Sequence, residues 1–214
     1  MRPFRGPTLI MMVCVALTSQ AVADATEVAI EAKFNRDPSN FDIPKSSKIR
    51  FDAAHTFTNG VTLGGSLETT IHVGSGEVTY DPETTLGYKW KVNDLFSLRG
   101  SAGVGERFQP ASTGGNFPYY VLYIGSDIDL SAKWTWNVVT YRFRDAFDTR
   151  NDFNTPEVST RLTFKIDDGR SVFAGYYYGW KEGSPDYQGI GVGLVQLLNS
   201  PTTVCDKHAP GAFG

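Results

Sequence analysis

The chain has 214 residues, and its 23 acidic residues outnumber 20 Lys and Arg, which gives a formal net charge of −3. This acidic balance gives no reason to expect nucleic-acid binding. Only two cysteines are present. Because Cys14 lies in an apolar leader, Cys205 has no partner for an intramolecular disulfide. The three histidines, His55, His72 and His208, are scattered along the chain, so we expect no metal ion and no other cofactor.

The first 23 residues have the features of a secretory signal peptide. Arg2 and Arg5 precede a short apolar run at 9–17, and Ala21-Val22-Ala23 supplies the small residues that signal peptidase requires. We therefore predict that residues 1–23 are cleaved on export. No later apolar run approaches the roughly 20 residues of a membrane helix, so any membrane span in the remaining chain must be built of strands.

Ten segments of the chain alternate apolar and polar residues with the period of a β-strand. Strands of soluble domains usually have about five or six residues, whereas a tilted membrane strand needs about 9–11. Most of the ten segments have the length of a membrane strand. They are 27–34, 47–57, 61–72, 78–91, 95–107, 118–129, 132–145, 157–166, 171–181 and 187–197.

The links between these segments alternate in length. Tight links alternate with longer ones that are rich in Gly, Pro, Asp and Asn. The tight links are "TNG", "VND", "LS" and "DDGR", and the longer ones are "NRDPSNFDIPKS", "VGSGE", "QPASTGGNFP", "AFDTRNDFNTP" and "EGSPD". Outer-membrane barrels have short periplasmic turns on one rim and longer loops on the other. The sequence therefore predicts an all-β fold over 24–198, an antiparallel up-and-down transmembrane barrel of about ten strands (10–12). Both termini would then lie in the periplasm, where 199–214 forms an irregular tail, and the protein would lie in the outer membrane of a Gram-negative bacterium.

One phase of the strands is apolar and faces lipid in this prediction, whereas in a soluble sandwich it would face an apolar core. Aromatic residues gather near the strand ends, as in the girdles of membrane barrels. In the seventh segment the apolar residues change phase, so we predict a β-bulge near Val138-Val139. The apolar phase contains Ile49, Phe51, Leu63, Leu67, Ile71, Leu86, Leu98, Val104, Leu122, Ile124, Val158, Leu162, Phe164, Ile190, Val192 and Leu194.

The opposite phase, which would line the lumen, has more basic than acidic residues. Six acids are assigned to it: Glu27, Glu31, Asp52, Glu68, Asp127 and Asp129. Twelve bases are assigned to it: Lys33, Lys48, Arg50, Lys89, Lys91, Arg99, Arg107, Arg142, Arg144, Arg161, Lys165 and Lys181. A basic lumen favours anions, and many small residues in the same phase leave room for a narrow water path. The alternative is that the charges pair into a plug that passes nothing.

An enzymatic interpretation is the weaker alternative. His72 shares a phase with Glu68 and Ser66, the residue types of a lipid-hydrolysing site. Glu68 and His72 are about 13 Å apart along one strand, however, which is too far for a hydrogen bond. We predict no catalytic residue.

Three stretches resemble the oligogalacturonate-specific porin family and its sialate-specific relatives, within the wider class of small Gram-negative outer-membrane barrels. They are "SKIRFDAAHTFTNGVTLGG", "LGYKWKVNDLFSLRGSAGV" and "TYRFRD", between residues 47 and 181. The resemblance implies a channel in which inward arginines contact acidic sugars. The family has twelve strands, whereas ten are counted here. By this resemblance the arginines in question are Arg50, Arg99, Arg142, Arg144 and Arg161.

The sequence as a whole predicts a narrow porin-like channel for small anionic solutes such as acidic oligosaccharides. Its alternative is a plugged structural or adhesion barrel whose loops bind a partner, and a lipid-modifying enzyme is the third possibility. The expected partners are outer-membrane lipid, small anionic solutes and the outer-membrane assembly machinery. The predicted pore-lining residues are Arg50, Lys89, Arg99, Arg107, Arg142, Arg144, Arg161, Lys165, Glu68 and Asp52.

Overall fold

The computed structural model describes residues 24–110, 114–151 and 153–198, which form ten antiparallel strands. The predicted signal peptide and the tail 199–214, with Cys205 and His208, lie outside the described residues. In the described part of the chain, no helix is long and apolar enough to cross a membrane. The strands are β1 (Ala25–Arg36), β2 (Pro44–Thr56), β3 (Val61–His72), β4 (Val78–Lys91), β5 (Phe96–Arg107), β6 (Phe117–Asp129), β7 (Trp134–Ala146), β8 (Glu157–Lys165), β9 (Arg170–Lys181) and β10 (Ser184–Leu197).

Each strand pairs with its neighbours in sequence, and β1 closes the sheet by pairing with β10. The fold is therefore the predicted antiparallel up-and-down barrel, with ten strands. Closure leaves no free sheet edge, so every strand is hydrogen-bonded on both sides. It also excludes the alternative of a two-sheet soluble sandwich.

The four tight turns at 57–60, 92–95, 130–133 and 166–169 share one local device. In each, a side-chain oxygen accepts a hydrogen bond from the backbone N–H two residues later. The oxygen belongs to Asn59 (3.0 Å), Asn93 (2.9 Å), Ser131 (3.3 Å) or Asp167 (3.0 Å). These turns occupy the same rim as the two ends of the described barrel, which we call the turn rim.

The opposite rim, called the loop rim, carries the connections 37–43, 73–77, 108–116, 147–156 and 182–183. The last of these was predicted to be a longer link, and that prediction is wrong. Glu182 and Gly183 form a two-residue turn with φ values of 49° and 78°. Positive φ at both central positions matches the right-handed twist of paired strands, so β10 begins already at Ser184.

The outer surface of the barrel is apolar, as predicted. Exposed there are Ile49, Phe51, Leu63, Leu67, Ile71, Leu86, Val104, Leu122, Ile124, Leu162, Ile190, Val192 and Leu194. Fully buried residues, by contrast, include the charged Glu68, Asp81 and Arg144. Apolar side chains outside and charged side chains inside are the reverse of the arrangement in a soluble protein, and a β-barrel in lipid requires this arrangement.

The predicted bulge in β7 is confirmed. Ser126 pairs with Val139 whereas Asp127 pairs with Asn137, so Val138 is the extra residue. The bulge changes the phase of the strand in the middle, and Trp136 before it and Tyr141 after it are both exposed on the outer surface.

Candidate functional site

The interior of the barrel is divided into a filled half and an open half. The half next to the loop rim is filled by charged and aromatic side chains. The half next to the turn rim contains a polar chamber of about 350 Å³. We call the charged residues of the filled half the interior ion cluster; it consists of Glu31, Lys33, Lys48, Arg50, Glu68, Asp81, Glu83, Arg107, Arg142, Arg144 and Glu157.

Glu68 on β3 is the centre of this cluster. Its Oε1 lies 3.1 Å from Lys48 Nζ and 3.1 Å from Arg144 Nη1. Its Oε2 lies 3.3 Å from Arg142 Nη1 and 3.9 Å from Arg50 Nη1. A carboxylate with no solvent contact must be paired to remain ionised, and four cations from two sides of the barrel supply that pairing.

The other carboxylates extend the network around the barrel wall. Asp81 receives two hydrogen bonds from Arg107, at 2.8 and 2.6 Å. Arg144 contacts Glu83 and lies 3.8 Å from Asp81. Arg144 lies against both Glu68 and Asp81. Its positive charge lets these two acids, which are direct cross-strand partners, lie side by side.

Glu157 and Glu31 complete the network on the far side. Glu157 accepts a hydrogen bond from Arg142 at 3.0 Å, and its Oε1 lies 3.7 Å from Lys33 Nζ. The same lysine lies 3.6 Å from Glu31 and over the ring of Tyr177. The filled half is thus crossed by charge pairs that join opposite walls.

Tyrosine hydroxyls hold three of the cluster's carboxylates. Tyr119 and Tyr123 donate to Glu83, at 3.0 and 2.6 Å. Tyr177 donates to Glu31, and Tyr187 donates to Glu157. These neutral donors satisfy carboxylate oxygens that the arginines leave open, and they fix those carboxylates against the wall.

Three of the buried acids were missing from the predicted lumen set. Asp81 and Glu83 stand in "YDPE" near the start of the predicted segment 78–91, and Glu157 directly follows Pro156 at the end of a loop. Their phase could have identified Asp81 and Glu83 as inward residues. They continue, at period two, the inward positions Thr85, Gly87 and Lys89 of the same strand. With them the set holds twelve bases and nine acids, which halves the predicted basic excess.

Several interior glycines do not create the open water path that the sequence suggested. A Cβ atom on Gly105 would lie 2.5 Å from the ring of Tyr119. On Gly193 it would lie 2.3 Å from the ring of Phe173. The space above these glycines is therefore occupied by aromatic rings from neighbouring strands.

The connection 147–156 caps the filled half at the loop rim. Phe153 points inward and is 2% exposed, with its ring 4.9 Å from that of Tyr119 and 5.2 Å from that of Phe117. The guanidinium of Arg107 lies 4.2 Å from the same ring. At the exposed end of this connection, side-chain hydrogen bonds from Arg150 lower the pKa of Asp148 to about 2.

The chamber extends from the ion cluster toward the turn rim and has several cationic residues in its wall. Arg99 lies 3.7 Å from Asp127 and donates to Thr140 at 2.9 Å. Arg161 lies over the ring of Phe173 at 4.3 Å. Within the described residues, neither Arg161 nor Lys89 forms an ion pair, so both carry charge that a solute can neutralise.

The predicted pore-lining residues therefore fall into four groups. Asp52, Lys89, Arg99 and Arg161 line the chamber, and Lys165 lies near the turn rim, 2.9 Å from Asp168. Arg50 and Arg142 belong both to the cluster and to the chamber wall. Glu68, Arg107 and Arg144 lie inside the cluster and do not line the chamber.

Glu68, which shares a strand phase with His72 and Ser66, is paired with basic side chains. The carboxylate of Glu68 is occupied by Lys48, Arg142 and Arg144. His55 lies near the turn rim, 2.9 Å from Asp24 and 2.8 Å from the hydroxyl of Thr26. Among the described residues no group of three or more His, Cys, Asp or Glu could hold a metal ion.

No family model and no curated protein matches this sequence. Solved structures do match. An outer membrane channel from Pseudomonas putida F1 has a TM-score of 0.51 at 7% identity, covering 86% of this chain and 99% of that one. The NanC porin has a TM-score of 0.48 at 10% identity, covering 79% and 98%. The KdgM porin, solved in complex with disordered oligogalacturonate, has a TM-score of 0.40 at 16% identity, covering 78% and 98%. The first of these, with a TM-score above 0.5, shows that the chain shares the fold of an outer-membrane channel, and the closed ten-strand barrel is the fold that the sequence predicted.

Proposed function

We propose that the protein is an outer-membrane barrel with a narrow, porin-like lumen that admits small anionic solutes, such as acidic oligosaccharides, and rests in a closed state. The observation that carries the proposal is the chamber, whose wall has six basic and four acidic residues and includes Lys89 and Arg161, two bases without an ion pair among the described residues. Cationic side chains lining a pore favour anions over cations. Guanidinium groups also match the planar geometry of a carboxylate.

The closed state follows from the ion cluster. In this proposal the path is closed where Arg50 and Arg142 meet Glu68, which has no exposed surface. In this proposal the turn rim and both termini face the periplasm, and the assembly machinery of the outer membrane inserts the barrel. The chamber is then open to periplasmic water, and the loop rim faces outward.

Ion selectivity in planar bilayers tests the proposal. We expect small, infrequent currents from the purified barrel, with a reversal potential in a KCl gradient that shows anion preference. The double variant Lys89→Ala/Arg161→Ala should lower that preference, because it removes two unpaired charges from the chamber wall. Lys133→Ala, in a turn, is the matched control. A preference for cations, or no current from any variant, would contradict the channel.

The ion cluster also favours a second candidate, a plugged barrel that acts through its loops. In that case neither the wild type nor a cluster variant would conduct. Deletion within 147–156 would nevertheless abolish a surface phenotype such as adhesion.

The proposal assigns no catalytic residue. A lipid-modifying activity dependent on His72 would instead alter lipid A acylation on expression, and His72→Ala would reverse the change. We expect mass spectra of lipid A that are identical with and without the protein.

A further inference from the structure

We propose that Glu68 is the gate of this lumen and that an anion in the chamber opens it by taking Arg50 and Arg142 away from Glu68. The inference rests on the proposed channel function. It adds the residues that close the path and the chemical signal that opens it.

The two oxygens of Glu68 face different surroundings. Oε2 contacts Arg142 and Arg50, at 3.3 and 3.9 Å, and both of these arginines line the chamber. Oε1 contacts Lys48 and Arg144, each at 3.1 Å, and neither of these lines the chamber. Glu68 therefore places one carboxylate oxygen where a solute carboxylate would bind, between two guanidinium groups that a solute can reach.

The chamber side of this site has unused and exchangeable hydrogen-bond donors. Arg142 is 3% exposed, and its Nε has no hydrogen-bond partner among the described residues. Nη2 of Arg50 donates to Ser66 at 3.1 Å and to Tyr123 at 3.2 Å, and both of these residues also line the chamber. A buried donor without a partner is costly, so an anion that reaches Arg142 gains a bond the closed state leaves unmade.

The exchange can occur without collapse of the cluster. When Arg50 and Arg142 turn toward an anion, Glu68 keeps Lys48 and Arg144 on Oε1. Glu83 stays fixed by Tyr119 and Tyr123, and Glu157 stays fixed by Tyr187. The two arginines also leave Asp52 and Glu157, to which they donate at 2.8 and 3.0 Å, and their movement separates the chamber side of the cluster from Glu68.

Single-channel recording with a defined anion tests the gate. We expect potassium glucuronate, added on the turn-rim side to wild-type barrels in KCl, to raise the open probability several-fold, while neutral glucose has no effect. Glu68→Gln should be open several-fold more often without glucuronate and should respond to it no further. Glu106→Gln is the matched control, because Glu106 is exposed at the loop-rim end of β5, so that the same substitution is made outside the lumen.

Glu68→Gln takes one charge partner from four bases and leaves Lys48 without its ion pair, so the barrel can fail to fold. The double variant Glu68→Gln/Arg144→Gln removes one acid and one base together, and it should also be open without glucuronate. Anion currents that Glu68→Gln leaves as rare as in the wild type, or that glucuronate does not change, would overturn the gate and leave the channel standing. Folded barrels of both cluster variants that carry no current would overturn gate and channel together.

Discussion

Among single residues, the interior glycines show how a neighbour decides what a small side chain does. Gly105 and Tyr119 face each other across β5 and β6, where they are cross-strand partners. The ring lies over the glycine because no Cβ occupies that space. Tyr119 can then reach Glu83 with its hydroxyl, so the glycine contributes indirectly to the ion cluster.

Gly105→Ala should destabilise the barrel by about 1–3 kcal/mol, the usual cost of overpacking. The new Cβ would lie 2.5 Å from the Tyr119 ring and 2.7 Å from the carbonyl oxygen of Pro82. Urea titration of barrels folded into lipid vesicles measures the change. Gly65→Ala is the control, since its nearest neighbour would be 3.7 Å away on the outer face. Equal stability of the two variants would contradict the packing argument.

The charged residues show what the alternating sequence pattern predicts and what it does not. Period two placed Arg50, Glu68, Arg142 and Arg144 on the inner face, and the structure agrees. The alternating pattern could not predict the ion pairs, because Arg142 and Arg144 reach Glu68 across the lumen, 74 and 76 residues away in sequence. Which charges line the chamber and which are buried depends on this distant pairing.

Among the strands, β7 depends on one inserted residue. Val138 lets Trp134 and Trp136 share the outer surface with Val139 and Tyr141. An apolar face in a membrane strand requires one phase throughout, so the bulge is needed wherever the sequence changes phase.

Deletion of Val138 should therefore prevent assembly of the barrel. Without the extra residue, either the two tryptophans or the segment from Val139 onward must turn into the polar lumen. Heat-modifiable mobility in gel electrophoresis reports the folded fraction. Val138→Ala keeps the residue count and should fold like the wild type; a deletion variant that folds equally well would show that the bulge is dispensable.

The inward side chain of Phe153 holds the connection 147–156 together with backbone hydrogen bonds of Asn154 and Thr155. Phe153→Ala removes its packing against Phe117, Tyr119 and Arg107, so the connection should open more often. Cleavage by trypsin after Arg150, whose side chain is exposed, should become several-fold faster. Phe147→Ala, at an exposed position of the same connection, should leave the rate unchanged. The packing role would be refuted if both variants were cut at the wild-type rate.

For the whole molecule, the apolar outer surface predicts a depth-dependent cost of charge. Ile124→Lys, in the middle of β6, should destabilise a membrane-inserted barrel by about 2–4 kcal/mol. Leu130→Lys, in a tight turn, should cost only about 0–1 kcal/mol. Unfolding in vesicles compares the two. Equal costs would mean that this surface does not lie in a hydrocarbon layer.

The sequence alone predicted about ten strands, their antiparallel order, the four tight turns, the β7 bulge and the outward face. All of these follow from local period and turn chemistry, which act over a few residues and are the same in any barrel. The tertiary structure decided the contents of the lumen: the three additional acids, the aromatic rings over the glycines, the inward Phe153 and the separation of chamber from cluster. The physical reason is that closure brings together strands that are remote in sequence. Whether an inward arginine faces water or a buried carboxylate is set by the residue on the opposite wall.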